Sequence, residues 1–472
     1  MAGNVDQFVA LVRDRCGPKS VVTDPADIEP WLTDWRGRYH GKAQAIVAPA
    51  STEEVAAIIR LAAEHRVPLV PQGGNTSMVG GATPSADGSA VILSLRRMNR
   101  IRSLSAESNI AVTESGVILA DLHDQAAAIG RRFPLTLGAR GSCTIGGLTA
   151  TNAGGTQVLR FGTMRSLIAG VEAVLPDGSI HNGLSALKKD NRGYNLDQLL
   201  IGSEGTLAVI TAVALKLFPA MYSRGVAWAG LASPDDALSL LRFCEAKTDR
   251  IEGFELIPAD CLTLVLDHIP STRQPLERQH PWNVLIEATS DREEVNPSDL
   301  LQSLLAEALD AELIEDATVA TNETQAEAFW KLRDGIAEAE RADGPSAAHD
   351  ISVPVSDMPR FIVQASAAVE AAFPGTRASA FGHLGDGNVH FHVRGPEGSP
   401  RSWLEEAGPP ILRFVDDLVT AAGGSISAEH GIGQMKRAEL ERLGNPGDLA
   451  AMRAIKHALD PLGIMNPGKL VG

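Results

Sequence analysis

The sequence lacks a close cysteine pair, a leader-like N-terminus and a long apolar run. Its four cysteines, Cys16, Cys143, Cys244 and Cys261, are scattered without a CxxC pair. Neither a disulfide framework nor a thiolate zinc site is therefore indicated, and a reducing compartment is expected. The first residues show no basic region followed by an apolar one, and no window approaches the ~18 apolar residues that span a bilayer. These absences predict a cytoplasmic protein without a transmembrane segment.

Positive charge is also scarce. There are 42 Lys and Arg residues against 58 Asp and Glu residues, which gives a formal net charge of −16. A surface of this sign repels phosphate backbones and anionic lipid, so nucleic acid and membrane surfaces are poor partners. An anionic ligand would have to be attracted by local positive groups.

Apolar spacing predicts strands and helices in the first 219 residues. Residues 45–49 and 67–71 read as buried strands around a helix that begins at the capping box Ser51-Thr-Glu-Glu54. The apolar positions of that helix, Val55, Ile58, Ile59 and Ala62, follow at helical spacing. Further helices are predicted over residues 5–15 and 119–129, and further strands over residues 90–94, 110–116, 169–175 and 208–217.

The pattern changes near residue 219. Long helical patterns cover residues 234–248, 297–311, 323–341 and 355–372, and strands are predicted at 282–288 and 389–393. This reads as a separate α+β domain. We expect an N-terminal segment (1–40), a first domain (41–219), a second domain (220–425) and a C-terminal segment that returns to the first (426–472).

Glycine is abundant, with 45 residues, and it is concentrated in loops at 72–81, 138–155 and 201–207. Glycine lets backbone amides approach a ligand closely, and a run of amides forms an anion cradle. The expected anion is a phosphate. The fingerprint GxGxxG opening a helix is missing, which disfavours a nicotinamide site. Tight turns in a twisted sheet remain the alternative for any single loop.

A histidine–carboxylate set lies in the C-terminal half. His390 and His392 are two residues apart and point to the same face of a strand. His383 precedes a Gly-Asp-Gly turn, and Glu429 and His430 follow in a glycine-containing loop. Neutral imidazoles with a carboxylate suit Zn²⁺ or Mn²⁺. The alternative for two same-face histidines is a partly exposed sheet surface.

Several motifs carry a family resemblance. Pro71-Gln-Gly-Gly-Asn-Thr-Ser77, the run from Thr144 to Gly155, Leu159-Arg-Phe-Gly162 and Ile201-Gly-Ser-Glu-Gly-Thr-Leu207 resemble the FAD-binding domain of the vanillyl-alcohol-oxidase/p-cresol-methylhydroxylase (PCMH) flavoproteins. His383-Leu-Gly-Asp-Gly-Asn-Val-His390 and Ser427-Ala-Glu-His-Gly-Ile-Gly433 resemble the substrate domain of FAD-linked D-2-hydroxyacid dehydrogenases.

The resemblance implies an α+β protein with a two-subdomain, PCMH-type FAD-binding domain and an α+β substrate domain that contains an antiparallel sheet. Asn75 stands where members with covalently attached flavin often carry histidine, so non-covalent FAD is expected. The implied FAD contacts are Gln72, Gly73, Gly74, Asn75, Thr76, Ser77, Gly138, Ser142, Thr144, Gly146, Asn152, Gly155, Glu204, Gly205, Ile210 and Asn466.

The resemblance also implies roles at the second site. His383, His390 and Glu429 would bind Zn²⁺ or Mn²⁺, and His430 would act as the base. Asn388 would line the site. Arg333, in Trp330-Lys-Leu-Arg333, would bind the substrate carboxylate, a bidentate task that suits arginine. A surface ion pair with Glu327 or Asp334 is the alternative for that arginine.

Three positions depart from the D-2-hydroxyglutarate dehydrogenase group. Ala337 replaces an expected hydroxyl residue, Ala348 replaces a lysine, and His392 replaces an asparagine at a substrate-binding position. His349 or Lys331 could supply the positive charge of the lysine that Ala348 replaces. Alternatively, the substrate has an uncharged or shorter side chain, as D-lactate does.

The predicted function is FAD- and metal-dependent oxidation of a D-2-hydroxyacid to the 2-oxo acid, most similar to D-2-hydroxyglutarate dehydrogenase. The alternatives are a D-lactate dehydrogenase, a glycolate-oxidising subunit, and a flavin-dependent transferase of the same fold. The implied partners are a small hydroxyacid and an electron acceptor such as an electron-transfer flavoprotein or a quinone. A homodimer is compatible with this interpretation.

Overall fold

The structure is a computed structural model that describes residues 2–185 and 187–471, and the side chains from residue 4 onward. Its helices and strands are numbered here in chain order. The α-helices are α1 (Ala2–Cys16), α2 (Pro25–Ile28), α3 (Thr52–His65), α4 (Leu119–Ala128), α5 (Ile145–Thr151), α6 (Val158–Phe161), α7 (Met164–Leu167), α8 (Leu196–Leu200), α9 (Pro234–Glu245), α10 (Ala259–His268), α11 (Pro297–Asp310), α12 (Glu323–Asp334), α13 (Ile336–Asp343), α14 (Met358–Ala372), α15 (Trp403–Ala421), α16 (Arg437–Leu443) and α17 (Pro446–Leu459).

The strands are β1 (Val21–Val22), β2 (Ile46–Val47), β3 (Leu69–Gln72), β4 (Val91–Ser94), β5 (Ile101–Ser105), β6 (Ile110–Glu114), β7 (Arg131–Arg132), β8 (Ile168–Val174), β9 (Ile180–Asn182), β10 (Val209–Lys216), β11 (Phe218–Pro219), β12 (Ser223–Leu231), β13 (Ile251–Pro258), β14 (Trp282–Ser290), β15 (Asp316–Val319), β16 (Ser346–Ser352), β17 (Arg377–His383) and β18 (Asn388–Arg394).

The chain divides into two compact units. The first unit contains residues 1–155, 162–220 and 429–472, so the C-terminal segment belongs with the N-terminal half. The second unit contains residues 156–161 and 221–428.

The first unit contains a four-stranded sheet, a five-stranded sheet and a two-stranded pair. The four-stranded sheet has the order β1-β2-β4-β3, with β4 parallel to both β2 and β3. The five-stranded sheet, β5-β6-β10-β8-β9, is antiparallel throughout. Helix α3 packs on the core as its spacing predicts, with Val55, Ile58 and Ile59 fully buried. The Ser51 hydroxyl caps this helix by accepting from the Glu54 amide at 3.2 Å.

The second unit is built on one antiparallel sheet of seven strands, in the order β15-β12-β14-β13-β17-β18-β16. Helices α9, α11, α14 and α15 contribute to the core on one face. Helices α10, α12 and α13 contribute to the core on the other face, around Trp228 and Phe329. An α+β protein with an antiparallel sheet in its second half is the architecture that the sequence predicts.

Three sequence predictions differ from the structure. The helix predicted over 323–341 is two helices, α12 and α13, because Gly335 interrupts it and glycine is a poor residue for a helix interior. The glycine-rich stretch 138–155 contains helix α5, whose Gly146 lies so close to Ser115 that a Cβ would sit 2.4 Å from the serine Cβ. Five strands of the second unit, β12, β13, β15, β16 and β17, were not predicted.

Candidate active site

The first unit contains a large cavity formed by the predicted glycine loops. Its volume is about 720 Å³, which falls in the range of sites for small molecules and cofactors. Thirteen of the sixteen predicted FAD contacts line it: residues 72–77, Gly138, Ser142, Thr144, Gly146, Glu204, Gly205 and Ile210. Trp35 and Cys143, which are not among the predicted FAD contacts, line it as well.

The glycines of the 72–77 loop allow close backbone packing at the cavity wall. A Cβ on Gly74 would lie 1.8 Å from the Ser142 carbonyl oxygen, and a Cβ on Gly73 would lie 2.2 Å from Thr144 Oγ1. That Thr144 hydroxyl is buried and makes no hydrogen bond within the described part of the chain. Close amides and an unsatisfied hydroxyl at a cavity wall are features that a phosphate-bearing cofactor would satisfy.

The C-terminal segment also contributes to this cavity, because Glu429 and His430 line it. Glu204 holds the adjacent backbone: its two carboxylate oxygens accept from the amides of Ile432 (2.8 Å) and Gly433 (2.7 Å). Burial raises the pKa of Glu204, although these two amides oppose the shift. The candidate base is therefore held at the cavity wall by a buried acid of the same unit.

Three predicted FAD contacts do not line the cavity. The Asn152 side chain accepts from the Arg165 amide at 2.9 Å and follows α5 with a positive φ of 49°. Gly155 packs against the backbone of Thr136. Asn466 donates to the carbonyls of Gly81 (3.0 Å) and Glu204 (2.7 Å). These residues join backbone segments of the first unit instead.

The second unit carries the histidines on one face of its sheet. Along β18, His390 and His392 point to one side, and Val389, Phe391 and Val393 point into the core on the other. The His383 and His390 rings have centroids 5.6 Å apart, and the His390 and His392 rings are 6.5 Å apart. The three imidazoles therefore form a row.

A buried acid that the sequence analysis missed, Glu255 on β13, organises one end of this row. Its carboxylate accepts from Arg333 Nε at 2.8 Å and lies 2.7 Å from His383 Nδ1. Arg333 Nη2 lies 3.4 Å from His383 Nε2, and arginine is only a donor. The contacts thus favour the tautomer in which Nδ1–H donates to Glu255 and Nε2 keeps its lone pair. A metal-binding histidine commonly has this arrangement.

The charges around this row favour an ionised Glu255 and a neutral His390. Burial alone would raise the pKa of Glu255, but His383 and Arg333 lower it more strongly, to about 2. Burial lowers the pKa of His390 well below its usual range, and the positive charge of Arg333 acts in the same direction.

Asn388 lies at the start of β18, next to His383 in the β17–β18 pairing. Its amide donates to Asp350 (3.0 Å) and to the Ile351 carbonyl (2.9 Å), and its Oδ1 makes no hydrogen bond within the described residues. In the Gly-Asp-Gly turn before it, the Asp386 carboxylate makes a local contact: it accepts from the backbone amide of Asn388 at 2.9 Å.

The structure changes the interpretation of two cations. Arg333 pairs with Glu255, whereas Glu327, one of the two partners considered for it, pairs with Arg224. His349 lies across from Phe391 on the core face of β16, and its Nδ1 is 2.9 Å from the Phe391 carbonyl. Strand alternation thus turns the His349 side chain away from the row, and its substrate-binding role stays a prediction.

The chain belongs to the FAD-linked oxidases. The family model for FAD linked oxidases, C-terminal domain, matches residues 221–470, more than half of the chain. The model for an FAD binding domain matches residues 43–183. The protein is an FAD-dependent oxidoreductase.

Curated relatives span nearly the whole chain. The mitochondrial D-2-hydroxyglutarate dehydrogenase of Bos taurus is 38% identical over 467 residues, which covers 99% of this chain and 83% of that protein. The D-2-hydroxyglutarate dehydrogenase of Xanthomonas citri pv. viticola is 35% identical and covers 95% and 93%. A putative mitochondrial D-lactate dehydrogenase of Schizosaccharomyces pombe is 36% identical and covers 95% and 86%.

Solved structures show the same fold at low identity. p-Cresol methylhydroxylase matches with a TM-score of 0.76 at 15% identity, covering 99% of this chain and 97% of that one. Alkyldihydroxyacetonephosphate synthase matches with a TM-score of 0.72 at 17% identity, covering 98% and 86%. These likenesses establish the PCMH-type FAD-binding fold that the sequence motifs predict.

Proposed function

We propose that the protein oxidises a D-2-hydroxyacid to the 2-oxo acid with non-covalently bound FAD and a divalent metal ion. The observation that carries the proposal is the row of histidines whose first member is oriented by Glu255 next to Arg333. A guanidinium beside a metal-competent imidazole suits a substrate that carries a carboxylate and a hydroxyl on adjacent carbons.

The residues of the first unit fit FAD. Glycine amides and Thr144 Oγ1 would meet the phosphates, and Asn75, whose side chain donates to the Thr33 carbonyl at 2.9 Å, offers no nucleophile for a covalent flavin bond. When bound, FAD supplies the two-electron acceptor for the hydride that leaves the substrate C2.

The donor set fits a divalent cation. His383 and His390 supply ring nitrogens, and we assign Glu429 as the carboxylate ligand, which makes Zn²⁺ or Mn²⁺ suitable. When bound, the metal supplies positive charge that favours deprotonation of the substrate hydroxyl. His430 takes the hydroxyl proton, Arg333 binds the C1 carboxylate, and Asn388 and His392 line the substrate site.

Chelation tests the metal assignment. After EDTA treatment and removal of the chelator, we expect dye reduction driven by D-2-hydroxyacids to be lost and added Zn²⁺ or Mn²⁺ to restore part of it. The flavin absorbance should stay unchanged, which shows that FAD has remained bound. Full activity in a sample shown to be metal-free would contradict the metal's role.

The side chain of the hydroxyacid distinguishes the two candidate substrates, D-2-hydroxyglutarate and D-lactate. The relatives from Bos taurus and Xanthomonas citri act, by name, on D-2-hydroxyglutarate, and the relative from Schizosaccharomyces pombe is named a putative D-lactate dehydrogenase. Ala337 and Ala348 favour D-lactate or another acid without a second carboxylate. For the electron acceptor we propose an electron-transfer flavoprotein or a quinone.

We propose the cytoplasm as the compartment. Relatives from cattle and Arabidopsis thaliana are named mitochondrial, and cell fractionation would decide between the two compartments. Among the described residues, none of the helices is both long and apolar enough to cross a membrane.

A further inference from the structure

The far end of the histidine row carries a second buried acid, Glu340 on α13. Its side chain is 1% exposed, and its Oε2 accepts from His392 Nδ1. Its other oxygen, Oε1, is buried and makes no hydrogen bond within the described residues. A buried carboxylate oxygen without a donor is costly, so this oxygen is a strong acceptor for a ligand group.

The Glu340–His392 pair lies next to the substrate-binding residues. The Phe381 ring centroid is 5.8 Å from Arg333 Cζ and 5.3 Å from the His392 ring centroid, so one aromatic ring lies beside both residues. A hydroxyacid whose C1 carboxylate binds Arg333 would extend its side chain past Phe381 toward His392. The pair therefore stands where the end of the side chain would be recognised.

Among the described residues, the cations at this end of the row are already paired with acids, and Arg377 lies 3.6 Å from Asp343. Arg394, the next residue of β18 on this face, is already held by Asp343 at 3.0 Å and Asp260 at 3.1 Å. Glu340 adds a third acid at this end of the row. Like-charge contact would therefore oppose a second substrate carboxylate.

The cations that could replace the missing lysine are engaged elsewhere. Lys331 donates to the Pro270 carbonyl at 2.7 Å, and His349 faces the core. At position 348, directly across from His392 in the β16–β18 pairing, the residue is alanine. The buried Glu340 Oε1 and His392 Nε2 are thus acceptors at this end of the row.

We infer that the Glu340–His392 pair selects a D-2-hydroxyacid whose side chain ends in a neutral hydrogen-bond donor, an amide or a hydroxyl, over one that ends in a carboxylate. This inference rests on the proposed function. It assigns Glu340 as a specificity-determining residue: Oε1 and His392 Nε2 accept from the substrate and exclude an anionic end group by repulsion and by leaving acceptors unpaired.

The test compares two substrates of nearly equal shape, D-2-hydroxyglutarate and its terminal amide, D-2-hydroxyglutaramate. Flavin reduction in the holoenzyme should give a kcat/KM at least about tenfold higher for the amide, because a site built to donate to or accept from a ligand discriminates strongly between such groups. Glu340→Gln should bring the ratio close to one. Ala348→Lys, which places a cation across from His392, should shift it toward the dicarboxylate.

The matched control is Glu338→Gln, an exposed glutamate of the same helix, which should leave the ratio unchanged. A circular dichroism spectrum and a melting temperature close to those of the wild type show that each variant is folded, and Ala348→Lys tests the idea even if Glu340→Gln does not fold. A wild-type preference for the dicarboxylate would overturn the inference and leave the proposed function intact. Absence of flavin reduction by these acids and by D-lactate would overturn both.

Discussion

At the scale of single residues, Glu255 contacts two of the proposed site residues at once. It lies in the apolar strand β13, 128 residues before His383, and accepts from both His383 and Arg333. The signal in the sequence is a charged residue within Gly253-Phe-Glu-Leu-Ile257, a run that otherwise reads as a buried strand. Because an acid in such a strand must be paired, this position could have been marked as functional, but its partners could not.

Replacing Glu255 with glutamine should weaken metal binding. The amide keeps the shape of the side chain but removes the charge that holds His383 in its tautomer, and loss of such a partner typically costs about 10–100-fold in metal affinity. Competition of the protein with a zinc-sensitive dye measures this. The exposed Glu294→Gln serves as the control. Unchanged zinc affinity in the Glu255 variant would remove Glu255 from the site.

Replacing His430 with asparagine should leave FAD bound and slow flavin reduction by about 10²–10⁴-fold, because general base catalysis contributes about that much. Rapid-mixing absorbance measures the rate, and the absorbance of the bound flavin reports retention of FAD. His457→Asn, an exposed histidine on α17, is the matched control and should react at the wild-type rate. An equal rate in the His430 variant would refute the base assignment.

At the scale of elements, helix α3 and the pair α12 and α13 show which predictions local sequence rules can make and which they cannot. The cap of α3 and its buried face follow from Ser51, Glu54 and the apolar spacing, and both are present. The division of the predicted helix at Gly335 places Arg333 on α12 and Glu340 on α13. Helical periodicity continues across that glycine, so the sequence pattern alone did not show the break.

A methyl group on Gly74 should damage the FAD cavity. Gly74→Ala would press a Cβ against the Ser142 carbonyl, 1.8 Å away, and overpacking of this kind typically costs about 1–3 kcal/mol. We expect a lower ratio of FAD to protein after purification and a lower melting temperature. Gly408→Ala in helix α15 of the second unit is the matched control, since a Cβ there meets the end of the flexible Leu404 side chain at 3.2 Å. Equal FAD content in both variants would show that the 72–77 loop does not shape the cofactor site.

At the scale of the whole molecule, the sequence predicts the α+β class, the two kinds of site and an antiparallel sheet in the second unit, but not the strand order or register of that sheet. The pairing of β13 with β17 joins Glu255 to His383 across a long stretch of chain, and β16 pairs with β18 through Ala348 and His392. Such contacts depend on strand order and register, which local propensity does not specify. The motifs carried the family resemblance, whereas Glu255 emerged only from the strand pairing and Glu340 only from the contact of helix α13 with the sheet.

The central claim is that this chain transfers hydride from a D-2-hydroxyacid to its own flavin. Anaerobic rapid mixing of the holoenzyme with matched D and L enantiomers tests it directly, because no external acceptor is needed for one reduction. We predict that the oxidised flavin absorbance is lost with at least one D acid, with one equivalent of 2-oxo acid formed per flavin, and that the L enantiomer is inert. An oxidised flavin after mixing with every D-2-hydroxyacid, in protein shown to hold FAD and metal, would contradict the account.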